Sequence, residues 1–161
     1  MGPEALGKIV EPAACDVFST MLSLDLAAGA ATENRSPLEP SEVTAMIGIA
    51  GDQQGFVALH STHAQAQAFT ARLLGMEPEE VTDSDSILDA MGEIVNMVAG
   101  NVKRELASCG EISISLPTVV ISEKPNIRVR ASESVVVYLD GPCGEFCVEL
   151  VLQEGASTPE R

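Results

Sequence analysis

Tryptophan is absent from this chain, tyrosine occurs once and phenylalanine four times. Any core must therefore be built from Val, Ile, Leu, Met and Ala. Cations are also scarce: nine Lys and Arg stand against 24 Asp and Glu, a formal charge of −15. Nucleic acids and anionic membranes are bound through clustered Lys and Arg. The nine here are scattered, so neither partner is expected. No apolar run approaches the roughly 18 residues of a membrane helix, and the N-terminus lacks a signal-peptide pattern. Cys15, Cys109, Cys143 and Cys147 show no CxxC spacing. Cys143 and Cys147 are four apart without nearby His partners, which is poor zinc spacing. All four read as reduced thiols, and the chain is expected to be cytoplasmic.

What is present suffices for one domain. A chain of 161 residues buries about 70% of its unfolded surface. The expected layout is a single domain over 1–155 with a frayed tail at 156–161. A helix is expected over 12–26, burying Val17, Phe18, Met21 and Leu22, then a loop over 29–40. Strands at 43–50 and 55–60 flank a Gly-bounded hairpin. Ser61 or Thr62 can cap a helix that Gly75 stops. The longest helix is placed near 86–107, with Gly110 as its stop. Strand signals follow at 112–121, at 127–130 merging into 134–139, and at 145–152, the last two joined by a turn at Gly141-Pro142-Cys143-Gly144. Hairpin-linked strands in blocks with helices predict an α+β fold: an antiparallel sheet with helices packed on one side.

The stretch Gly92-Glu93-Ile94-Val95-Asn96-Met97-Val98-Ala99-Gly100-Asn101-Val102-Lys103 carries the chemistry. At 100° per residue, Asp89, Glu93, Asn96, Gly100 and Lys103 fall within about 80° of arc, opposite Met91, Ile94, Val95, Val98 and Val102. Asn and Gly each weaken a helix by roughly 0.5–1 kcal/mol relative to Ala, so their place on a polar stripe asks for a close-fitting partner. Each residue also has a plainer reading. Asp89 follows Ser86 at capping-box spacing, Gly100 suits a helix–helix packing point, and Lys103 suits a solvated charge near a helix C-terminus. Asn101 falls beside the apolar face, where it can satisfy a backbone group, and Glu105 falls on that face. His60 and His63 lack a third ligand, so no metal site is expected.

The string Glu-Ile-Val-Asn-Met-Val-Ala-Gly-Asn-Val-Lys resembles the signature helix of the CheC/CheX/FliY chemotaxis phosphatases, most closely the single-site CheX members. The family pattern is an Asp or Ser, a Glu four later, an Asn three after that, and a Pro just over twenty residues downstream. Asp89, Glu93, Asn96 and Pro117 follow it. CheC-type members carry a second Glu-x-x-Asn on the first helix. The counterpart here is Asp16 and Ser19, which implies one site.

The resemblance implies a substrate, the phosphoaspartate of a CheY-like receiver domain, in chemotaxis or related two-component signalling. It implies Asn96 as the residue that orients the attacking water and Glu93 as a bridge to the receiver's Lys. Asp89, Gly100 and Lys103 would then contact the partner. The chain would need no cofactor of its own, because the receiver supplies Mg²⁺. CheX relatives suggest a homodimer made through the sheet. The competing function is a non-catalytic adaptor that binds a receiver or flagellar-switch protein through the same helix.

Overall fold

The computed structural model describes residues 2–33, 41–122 and 133–154. Among these residues, seven strands form one antiparallel sheet, and three α-helices pack on one of its faces. The elements are α1 (Pro3–Leu22), β1 (Ala27–Glu33), β2 (Val43–Gly51), β3 (Gln53–Ser61), α2 (His63–Leu74), α3 (Ser84–Glu105), β4 (Ile112–Ile114), β5 (Thr118–Ile121), β6 (Glu133–Asp140) and β7 (Phe146–Glu154). Spatial order runs β1-β6-β7-β3-β2-β4, with β5 also on β2. This is the α+β layering that the blocks of strands and helices predict.

Alternation along the strands decides which face is covered. Val43, Ala45, Ile47 and Ile49 of β2, Val57 and Leu59 of β3, and Val148, Leu150 and Leu152 of β7 join one core with α1, α2 and α3. The aromatic shortage is managed by concentration: Phe18 of α1, Phe69 of α2 and Phe146 of β7 meet at ring-centroid distances of 4.9–5.1 Å. The intervening strand residues lie on the opposite face. There His60 is buried, its Nε2 2.9 Å from Glu149 Oε2 and its Nδ1 3.1 Å from Thr44 Oγ1. These contacts commit the imidazole to the sheet, and no group of three or more possible metal-binding His, Cys, Asp or Glu occurs among the described residues.

Several boundaries differ from the sequence-based expectation. The first helix starts at Pro3 and ends at Leu22, not at 12 and 26, and Pro12 lies inside it. Pro12 cannot donate to the Lys8 carbonyl, but both residues are exposed, so water can take the missing bond. Ser23 turns left-handed (φ 53°) and ends the helix, after which Leu22 and Leu24 fill the core while Met21 is 46% exposed. Residues 27–33, expected partly as loop, form a strand because they pair with β6. The register shifts between Ala28 and Ala31, and a run of Ala, Gly and Thr shows no alternation that would have revealed it. Thr62, not Ser61, caps α2 in a capping box with Gln65. The turn at residues 141–144 forms as expected, with Gly144 N–H on Gly141 O at 3.0 Å. The strand expected at 127–130, residues 34–40 of the loop expected over 29–40 and the tail at 156–161 lie outside the described residues. Among the described residues, no helix is long and apolar enough to cross a membrane.

Candidate functional site on α3

α3 begins with Asp83, whose carboxylate accepts from Ser86 N–H at 3.0 Å and from Ser86 Oγ at 2.9 Å. These bonds hold its pKa below the usual carboxylate range. Ser86 is thus the third helical residue rather than the cap. The capping-box explanation of Asp89 therefore falls, because α3 has already been capped one turn earlier. From Ser84 the helix runs 22 residues, about 33 Å. A short 3₁₀ turn at Leu106–Cys109 and Gly110 (φ +120°) then end it. Asp52, in the β2–β3 turn, secures this exit. Its N–H donates to Glu111 O at 2.9 Å and its Oδ2 accepts from Glu111 N–H at 2.8 Å.

Ile87, Ala90, Met91, Ile94, Val95, Val98, Ala99 and Val102 are buried, which fixes the rotation of the helix. Asp89, Glu93, Asn96 and Lys103 are consequently exposed, and Gly100 is half-buried among them. Among the described residues, no atom lies within 4 Å of a β-carbon added at Gly100 beyond its helical surroundings. Gly100 is therefore not a packing point between helices of this chain. Asn101 leaves the row and turns to α1. Its Nδ2 donates to Ala13 O at 3.1 Å and reaches Asp16 Oδ2 at 3.4 Å, while its Oδ1 accepts from Arg104. This is the backbone-satisfying role that its position on the helix suggested. Asp16, the acid of the nearest counterpart to a second site, is engaged with Asn101. Glu105 is exposed at the helix end, although the next residue, Leu106, is buried in the core.

Sequence reasoning missed how β4 and β5 frame this row. Residues 112–121 read as one strand, yet two short strands lie in line along the same edge of β2. Ile114 pairs with Ile49, and Thr118 with Met46. Three residues, Ser115, Leu116 and Pro117, therefore stand opposite two, Ile47 and Gly48, which is a β-bulge. Pro117 cannot donate to the ladder, so the strand must break there. Ser115 holds the break: its N–H donates to Gly48 O and its Oγ accepts from Gly48 N–H, both at 2.9 Å. Ser115 Oγ also donates to Leu116 O at 2.9 Å. The bulge lodges Pro117 against α3. A β-carbon added at Gly92 would lie 3.4 Å from Pro117 Cγ and 3.6 Å from Val119 Cγ2. On the helical wheel, Lys103 and Asn96 stand about 20° and about 40° from Gly92, so Pro117 abuts the flank of the polar row. The missed signal was available: a Pro inside a strand pattern and a Gly directly before Glu93. Further along, Lys103 lines an open groove of about 500 Å³ with Ala50, Ala107, Gly110, Glu111 and Ile112.

A row of Asp, Glu, Asn, Gly and Lys on a helix braced by a Pro-bearing bulge can be compared with known proteins. The family model described as "Chemotaxis phosphatase CheX" matches residues 43–140, which include β2 through β6 and the whole of α3. The chain belongs to the CheX family. Solved structures agree in fold. A chemotaxis protein CheX from Desulfovibrio desulfuricans superposes with a TM-score of 0.83 at 26% identity, covering 92% of this chain and 99% of the other. A putative chemotaxis protein from Desulfovibrio vulgaris Hildenborough gives 0.82 at 27%, covering 92% and 97%. The CheX of a CheX–CheY–BeF₃–Mg²⁺ complex from Borrelia burgdorferi gives 0.78 at 22%, covering 91% and 97%. No curated protein sequence matches the chain.

Proposed function

We propose that this CheX-family chain hydrolyses the phosphoaspartate of a CheY-type receiver domain. The observation that carries the reading is the exposed row on α3, in which Glu93 and Asn96 lie one turn apart on a helix rotated into place by its buried face. A relative in the family has been captured with CheY, BeF₃ and Mg²⁺, a combination that suits an acyl-phosphate substrate.

Acyl-phosphate hydrolysis asks for little covalent work from this chain. Water attacks phosphorus in line, the bond to the receiver's aspartate oxygen breaks, and the carboxylate leaves as an anion while both of the water's protons stay with the phosphate product. Positioning and charge stabilisation dominate such transfers. The Asn96 amide offers a carbonyl acceptor and an NH₂ donor, enough to hold a water by one group and aim it with the other. Glu93 suits an ion pair with the receiver's Lys, fixing the helix in register. The receiver brings Mg²⁺ for charge neutralisation. Asp89, Gly100 and Lys103 form the rest of the docking row. Asn does not titrate, so this chain contributes no proton-transfer step to the rate.

The test uses a CheY-type receiver from the same genome, phosphorylated by a small phosphodonor, with phosphate loss followed over time. Wild type is expected to accelerate the decay. Asn96→Ala should lower kcat by about 10²-fold to 10³-fold, about 3–4 kcal/mol, the scale of a lost positioning group. Glu93→Ala should weaken complex formation as well. Unaltered decay alongside a formed complex would make the chain an adaptor and refute the hydrolase.

A further inference from the structure

Leu116 is 87% exposed, well beyond Met21, Leu74, Met76 and Val120 among the other exposed large apolar side chains. Its place is not that of a slack loop. It sits between Ser115, bonded on both sides to Gly48, and Pro117, seated against Gly92 of α3. The bulge removes it from the β2 ladder, in which its neighbours Ile114 and Thr118 remain paired. An apolar side chain is thus held on a braced platform, one residue from the contact with the helix that carries Glu93 and Asn96. Burial of such a side chain is favourable and roughly proportional to the area removed from water, and the described residues leave it 87% exposed.

We infer that Leu116 is a docking anchor for the receiver. It buries itself in an apolar patch of the receiver beside the phosphorylated aspartate, and so holds the docked receiver against the α3 row. This rests on the receiver-phosphatase reading. The partner is the same protein that meets the α3 row, because Pro117 joins the bulge to the flank of that row. The device adds affinity without charge. That suits a chain of net charge −15, which must hold an acidic acyl phosphate close despite its own field.

The experiment measures phosphate release against receiver concentration for wild type, Leu116→Ser, Leu116→Met and Asn96→Ala, and binding of the beryllofluoride-activated receiver to each. Leu116→Ser is expected to raise KM and Kd about tenfold, the scale of one buried apolar anchor, with kcat within about twofold. Leu116→Met should restore both, and Asn96→Ala should show the converse split. Since Leu116 is exposed, thermal melting of both Leu116 variants should match wild type. Unchanged KM and Kd in Leu116→Ser would overturn the inference while leaving the hydrolase standing. A fall in kcat alone, or a change of oligomeric state in place of receiver affinity, would overturn it too. If wild type binds the activated receiver without hydrolysing it, the phosphatase reading fails. A tenfold rise in Kd for Leu116→Ser would then still support docking by Leu116.

Discussion

Gly100→Ala separates what the free protein wants from what its partner needs. Gly100 lies inside α3 with ordinary helical backbone, and among the described residues nothing beyond its own helical turn approaches an added β-carbon within 4 Å. Replacing Gly by Ala in a helix interior is worth about 0.8–1 kcal/mol, with part of the gain coming from a less flexible unfolded chain. For 161 residues that corresponds to a rise in Tm of about 3 °C. Under the docking proposal the same methyl protrudes one turn from Asn96, where the receiver's surface must approach. A shift of about 1 Å in the bound geometry costs on the order of 10²-fold in rate. The expected result is a more stable protein that dephosphorylates the receiver 10-fold to 100-fold more slowly, with Gly100→Leu slower still. Thermal melts and single-turnover phosphate release measure the two halves. A protein no more stable than wild type would refute the claim of open space at Gly100. Full activity in both variants would refute the claim that a partner comes close there.

Two further predictions concern the frame around the site. Asp83→Ala removes the α3 cap and should lower Tm by a few degrees at pH 7. The Asp83 pKa is depressed in the folded state by Ser86, so its contribution is present above the unfolded value and is lost as pH falls through the folded one. The gap between the two melts should therefore begin to close as pH falls below about 4, and a constant gap would contradict the cap. Burial, followed by the nearby Glu149 and Glu145, pushes the Cys147 thiol up to about 12. At pH 8 it should resist alkylation until the protein unfolds, as mapped by mass spectrometry. Its stabilising effect is complete below the unfolded thiol's pKa of about 8.5 and declines as pH rises towards 12. Rapid labelling of folded protein at Cys147 would contradict the burial.

How much was legible depended on whether a residue's neighbours were local. The rotation of α3 is written in Ile94, Val95, Val98 and Val102, whose spacing alone places Glu93 and Asn96 outside. Asn101 was legible for the same reason, as a polar group at the edge of an apolar face. The α3 start was misplaced by two residues because Asp83 and Ser86 are both good caps, and only backbone geometry chooses between them. β1 was hidden in small residues whose strand character comes from β6, more than 100 positions away. The bulge was hidden for a related reason. Pro117 announces a break, but which strand the two halves share, and that Gly92 receives the Pro ring, are facts of tertiary packing.

The kink at Ser115–Pro117 also bears on a hazard that every open sheet faces. A long straight edge presents a ladder of unpaired backbone groups on which another chain can grow. Here that edge is divided into strands of three and four residues, out of step with each other, and one position has no N–H to offer. An incoming strand could match one half or the other but not both. The irregularity that braces α3 thereby caps the sheet at this border, so the region nearest the polar row can meet partners without inviting β-aggregation.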